Sequence, residues 1–132
     1  MILYNMLIQN RKNLATFLIV SVFIVSGIEG IFDFDGIMRS VVNKKVFSFF
    51  PFPTLIGLVA LGIKVFGSYY SFSKNKKYKN MAINSLILFI IISNVYFHNP
   101  LLYSKPRRRY HESYKALKNF GLIGGLILLK EN

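Results

Sequence analysis

The sequence predicts an all-α membrane protein whose four transmembrane helices form an up-and-down bundle. Three observations point there. Of the residues, 53% are hydrophobic, and they gather in blocks close to the ~20 residues a helix needs to cross the hydrocarbon layer. The stretches between blocks are short and hold nearly all of the 17 Lys and Arg, against only 5 Asp and Glu. There is no internal repeat and no low-complexity linker, and 132 residues make a single domain, residues 1–132.

The net charge of +12 would suggest nucleic acid in a soluble chain. Here every cation except Lys64 lies between or beside apolar blocks. The partner this implies is the lipid bilayer and its headgroups, not nucleic acid. With no cysteine, disulfides, thiolate metal sites and CxxC redox chemistry are excluded. Two histidines and few carboxylates do not make a protein-built metal site.

Met1 to Asn13, closing on Arg11-Lys12, is expected at the membrane interface. Leu14 to Phe32 is the first helix, with Glu29 as its only charge. It has no A-x-A-like site and exceeds a typical h-region, which favours an uncleaved helix over a signal peptide. Asp33 to Pro53 reads as a loop: Asp35-Gly36 suits a turn, and Pro51 and Pro53 stop any helix before the next block. Phe47, Phe49, Phe50 and Phe52 suit an interface. The second helix runs 54–72, with Thr54 as a candidate cap. Gly57, Ala60, Lys64, Gly67 and Ser71 share one face of it, and a stripe of small residues lets membrane helices approach closely. Lys64 is therefore predicted to face inward.

Ser73 to Asn80, with Lys74, Lys76, Lys77 and Lys79, is a short hairpin loop. The third helix, 81–97, carries no charge. Asn84, Asn94 and His98 are expected on its bundle side, because amides need partners that lipid lacks. Asn99-Pro100 opens the third loop, which ends in Lys105-Pro106-Arg107-Arg108-Arg109. The uncharged stretch Asn119 to Leu129 is too short to span. A start at Tyr110 gives a fourth helix, 110–129, of ~30 Å, with Lys115 and Lys118 snorkelling. Gly121, Gly124 and Gly125 form a second close-packing patch, and Asn119 caps or cross-links helices. The alternative is three spans and a fourth helix lying at the interface. The loop cations divide almost evenly between the two sides, so the positive-inside rule leaves the orientation open.

Glu29 and Lys64 are the charges that need explaining. A lone charge at the bilayer centre costs about 2.5–3.5 kcal/mol on translocon scales. Glu29 lies about 5 Å from the end of its helix and Lys64 about 15 Å from the start of its own. Side chains lean toward the amino end of their helix, which narrows that gap of about 10 Å. Two readings stand: an intramembrane pair Glu29–Lys64, or a lysine that snorkels alone while Glu29 shares interfacial water with Asp33.

Ser26-Gly27-Ile28-Glu29, followed by Phe32-Asp33 and Gly36, resembles the end of the first helix in the DoxX-like family of small membrane proteins. Phe52-Pro53-Thr54-Leu55 is similar to that family's entry to helix two, Phe97-His98-Asn99 to its end of helix three, and Lys118-Asn119-Phe120-Gly121-Leu122-Ile123-Gly124-Gly125-Leu126 to its last helix. The resemblance covers about Leu14 to Leu129. It implies a multi-pass, four-helix protein, in bacteria usually of the cytoplasmic membrane. The family takes its name from a small subunit of a thiosulfate:quinone oxidoreductase, and other members are linked to oxidative-stress complexes or to maturation of membrane proteins. Two positions depart from the pattern: Gly30 stands where relatives carry Lys, and Lys64 where they carry Glu.

No catalytic constellation is visible: no Ser/His/Asp set, and no clustered carboxylates outside Glu29–Asp35. The expectation is a structural or accessory subunit of a membrane complex, without catalysis and without a cofactor of its own. The rival reading is a quinone-linked redox subunit, with Glu29, Lys64, Asn94 and His98 lining a cavity to which Asn119 and Asp33 could contribute, and a redox partner supplying the electron donor. His98 reads equally as an interfacial residue ending its span. Arg107, Arg108 and Arg109 are expected against lipid or an acidic partner, and a homo-oligomer is compatible with either reading.

Overall fold

The computed structural model describes residues 1–42, 53–96, 101 and 104–131. The Phe47–Phe52 run, His98 and Asn99-Pro100 lie outside the described residues. Among the described residues the chain is all-helical: α1 (Ile2–Phe32), α2 (Phe34–Val42), α3 (Pro53–Tyr70), α4 (Lys76–Tyr96) and α5 (Pro106–Leu129).

The element starts differ from expectation for local chemical reasons. α1 is one continuous helix of 31 residues, because nothing in Ile2 to Asn13 breaks it. The stretch holds no Gly or Pro, and Gln9 bonds Asn13 one turn on at 3.1 Å. The segment expected at the interface is thus an extension of the first helix, exposed from Met1 to Leu14. α3 begins at Pro53, where a missing N–H costs nothing in a first turn, so Thr54 is inside the helix. α4 starts at Lys76, since Asn75 Oδ1 accepts the backbone N–H of Lys77 at 3.0 Å and of Tyr78 at 3.4 Å. That N-cap shortens the expected hairpin loop. α5 starts at Pro106, placing Arg107 to Arg109 in its first turn rather than in a loop.

α2 was expected to be loop. Asp33 makes it a helix: its backbone N–H closes α1 on Glu29 O at 2.8 Å, and its carboxylate accepts the Gly36 N–H at 3.1 Å. A Cβ on Gly36 would meet that carboxylate, with Asp33 Cγ at 2.9 Å, so glycine leaves room for the cap. Asp35 in the first turn and Arg39 in the last match the helix dipole.

The four long helices form a closed ring of neighbours: α1 packs on α3, α3 on α4, α4 on α5, and α5 on α1. α2 packs beside α1 and α3. The core is small: Val20 and Phe23 of α1, Ala82, Ile83, Leu86 and Ile90 of α4, and Leu126 and Leu129 of α5. On α3, Gly57, Gly67 and Ser68 are buried and Lys64 is half-buried, and Ser71 just past its end is buried too, so the small-residue face does turn inward. A Cβ on Gly67 would stand 2.9 Å from Leu86 Cδ2, and one on Gly27 would stand 3.3 Å from Val65 Cγ2. These are the close approaches of α3 to α4 and α1. In the glycine patch of α5 only Gly125 makes such an approach, to Ile19 Cδ1 at 2.9 Å, whereas Gly121 and Gly124 face open space. Asn84 is exposed, because it lies about 100° around the helix from the buried Ile83.

Hydroxyls inside the bundle bond to their own helix. Thr16 Oγ1 donates to Lys12 O at 2.8 Å, Ser68 Oγ to Lys64 O at 2.5 Å and Ser71 Oγ to Gly67 O at 2.6 Å. A serine or threonine satisfied this way needs no partner helix. Among the described residues two helices are long and apolar enough to cross a membrane, α1 with mean hydropathy 2.2 and α4 with 1.3. Thr54–Tyr70 is apolar but shorter, and α5 carries its charges in its first half.

Candidate functional site

The polar side chains predicted to act together separate into four places. Lys64 is half-buried on α3, beside Gly27 of α1, where a Cβ would lie 3.7 Å from Lys64 Cβ. Its ammonium sits 5.3 Å from the centroid of the Phe89 ring on α4, a cation–π distance. Phe89 in turn meets Phe23 of α1 edge-on, centroids 6.5 Å apart. Glu29 is close enough to act on Lys64 as a charge. Among the described residues, however, no ion pair within 4.0 Å joins them. Depth is not the obstacle, because Gly27 and Lys64 stand level. The obstacle is azimuth: Glu29 lies about 200° around α1 from the buried Gly27 and is exposed. Spacing along the chain measured the first and not the second.

Asn94 and Asn119 do come together. Asn119 Nδ2 donates to Asn94 Oδ1 at 2.7 Å, and Asn94 Nδ2 reaches Ala116 O at 3.4 Å. Asn94 is 9% exposed, so this amide pair satisfies a buried polar group and ties α4 to α5. Asp33 is exposed and engaged as the cap of α2.

At the end of the bundle where α1 enters and α5 leaves, Glu131 joins three segments. Its carboxylate is 3.1 Å from Lys79 Nζ and 3.6 Å from Lys12 Nζ. Its backbone is held on both sides by the Asn80 amide, through Glu131 N–H to Asn80 Oδ1 at 2.8 Å and Asn80 Nδ2 to Glu131 O at 2.6 Å. The hydrogen bond from Lys79, and then its charge, hold the Glu131 carboxyl below the usual carboxylate range. Sequence reading missed this clasp. Its one signal was a lone acid beyond an apolar helix, in a chain whose cations outnumber its acids.

At the opposite end, the first turns of α5 form a basic pocket of about 450 Å³ lined by Lys105, Arg107, Arg108, His111, Glu112 and Lys115. Glu112 is 5% exposed and pairs with Lys115 at 3.7 Å. Arg109 is exposed on the same turn. A larger groove of about 730 Å³ runs between α3 and α4 and is mainly apolar, with Tyr70, Tyr78 and Ser85 as its polar edge. Neither cavity is lined by Glu29, Lys64, Asn94 or Asn119.

Set against known proteins, the chain matches no family model, no curated protein and no solved structure.

Proposed function

We propose that the chain is an integral membrane protein whose four long helices all cross the bilayer, and that it serves as a DoxX-like structural or accessory subunit with no catalysis of its own. One observation carries the membrane reading. The outward faces of the bundle carry many large apolar side chains: Phe17, Val22, Val25 and Ile28 on α1, Leu58 and Phe66 on α3, and Leu88 and Ile92 on α4 are all exposed. A helix that is apolar all round belongs in the core of a large protein or in lipid, and the described helices leave these apolar faces uncovered. α5 supports the same reading with Lys105 to Lys118 at one end and an uncharged remainder.

The accessory role rests on what the polar groups do. The Asn94–Asn119 pair, the Lys64–Phe89 contact and the Glu131 clasp each join helices. The DoxX-like assignment rests on the sequence motifs alone, and a cytoplasmic-membrane location in a bacterium follows from it. Because the chain has no cysteine, single cysteines can be placed without background. A membrane-impermeant maleimide should label positions 75 and 130 from one side and positions 36 and 104 from the other. Label reaching 75 and 104 from the same side would sink the four-span arrangement. Purification in mild detergent should retain a second membrane protein, and turnover of a redox substrate by the isolated chain would overturn the accessory role.

A further inference from the structure

The basic pocket at the start of α5 has the chemistry of an anion site. Arg108, His111, Glu112 and Lys115 follow one another at i, i+3, i+4 and i+7, so they share one face of α5, and Lys105 and Arg107 close its upper edge. The lining carries four cations, Lys105, Arg107, Arg108 and Lys115, against one carboxylate, Glu112. With His111 neutral this leaves a formal surplus of three positive charges. The site also lies at the amino end of a helix of 24 residues, whose dipole adds positive potential there. On the outer side of the same turns Tyr110 and Tyr114 are 70% and 65% exposed. Tyrosines at that position mark the headgroup level of a bilayer, and the uncharged part of α5 begins further on, at Asn119. We propose that this pocket holds a phosphate group, and that the phosphate is that of an anionic lipid headgroup. Arg and Lys side chains suit phosphate oxygens through charge-assisted hydrogen bonds. Glu112, 3.7 Å from the Lys115 ammonium, reduces the charge of the pocket and competes with an incoming anion for that lysine.

The lipid source rests on the membrane reading, whereas phosphate binding itself does not, and the test separates them. The full chain in detergent is titrated with short-chain phosphatidylglycerol, with short-chain phosphatidylcholine and with inorganic phosphate. The expected result is saturable binding of phosphatidylglycerol, tighter than either of the others, with inorganic phosphate competing. Lys105→Gln/Arg107→Gln should weaken it ~10-fold or more, the worth of about one charge-assisted hydrogen bond. Lys74→Gln/Lys76→Gln, at the other end of the bundle, should leave it unchanged. Glu112→Gln should tighten it, a direction that a damaged fold does not mimic. Equal affinity for Lys105→Gln/Arg107→Gln and the unaltered chain, or weaker binding by Glu112→Gln, would overturn the site. Inorganic phosphate binding as tightly as the lipid would overturn the lipid source.

Discussion

Replacing Gly67 by alanine tests the close approach of α3 to α4. The added Cβ would lie 2.9 Å from Leu86 Cδ2 and 3.0 Å from Leu86 Cγ, well inside the ~3.5–4.0 Å at which carbon atoms attract. Leu86 is 0% exposed, so it has no open space to retreat into, and the clash involves the branch carbon as well as a methyl end. Overpacking of this kind costs ~1–3 kcal/mol. It is offset in part by the ~1 kcal/mol that alanine gains over glycine inside a helix. Gly62 on the same helix isolates the steric term, since a Cβ there meets nothing within 4 Å. Gly62→Ala should therefore be neutral or stabilising, and Gly67→Ala should fall below it by ~1–3 kcal/mol. The measurement is unfolding of the purified chain in mixed micelles with rising dodecyl sulfate, followed by circular dichroism. Leu86→Ala alone removes a buried side chain and should cost ~2–5 kcal/mol. In combination with Gly67→Ala the total should be smaller than the sum. Equal stability of Gly67→Ala and Gly62→Ala, or strict additivity with Leu86→Ala, would refute the account of how α3 meets α4.

Three further outcomes follow from named contacts. Asn94→Leu and Asn119→Leu should be coupled by ~0.6–2 kcal/mol in a double-mutant cycle, the range for interhelical hydrogen bonds in bilayers, and additive losses would show that the 2.7 Å amide contact contributes nothing. Lys64→Met should couple to Phe89→Leu by ~0.5–2 kcal/mol, whereas its cycle with Glu29→Gln should close to within ~0.5 kcal/mol; the reverse pattern in the same micelle assay would restore the ion pair that spacing suggested. The Glu131 carboxyl is held below its unfolded value, so its contribution is fully present above the unfolded pKa and lost as pH falls through the folded one. Amide exchange at the Leu129–Glu131 end of α5 should accordingly accelerate on acidification through the carboxylate range, and Glu131→Gln should be fast at every pH; a clasp equally protected on both sides of that range would remove the carboxylate from the account.

How much was legible depended on whether the signal lay along one helix or between two. The apolar blocks located all four long helices, and the inward face of α3 was readable because Gly57, Lys64, Gly67 and Ser71 repeat at the helical period. Boundaries slipped where a single side chain decided them: Asp33 created α2, Asn75 moved the start of α4, and Pro106 moved that of α5. Partners were harder. The sequence shows which residues are polar and how deep they sit, but not which way a helix is rotated toward its neighbour. Charge and depth left Lys64 either paired with Glu29 or snorkelling alone, while rotation presents it to Phe89, which carries no charge to draw attention. Asn84 and Asn94 looked alike by type, and only rotation separates the exposed one from the bonded one.

The five acids make the same point about function. Asp33 caps α2 and Asp35 sits in its first turn; Glu131 clasps Lys79 and Lys12; Glu112 lies in the basic face of α5; Glu29 is exposed near the end of α1. With so few carboxylates, and those placed at helix ends, the protein cannot neutralise its own cations. On the proposed membrane reading, the headgroups of the two bilayer faces would balance the surplus at the two ends of the bundle. The two ends should then respond differently to removal of anionic lipid. The Glu131 clasp contains its own counter-ion and should persist in zwitterionic lipid, whereas the α5 pocket, where one carboxylate faces four cations, should lose its occupant. Amide exchange that rose at Arg107–Lys115 but not at Lys79–Leu86 on removing anionic lipid would bear this out, and an equal rise at both would show that the charge surplus acts only as a diffuse field.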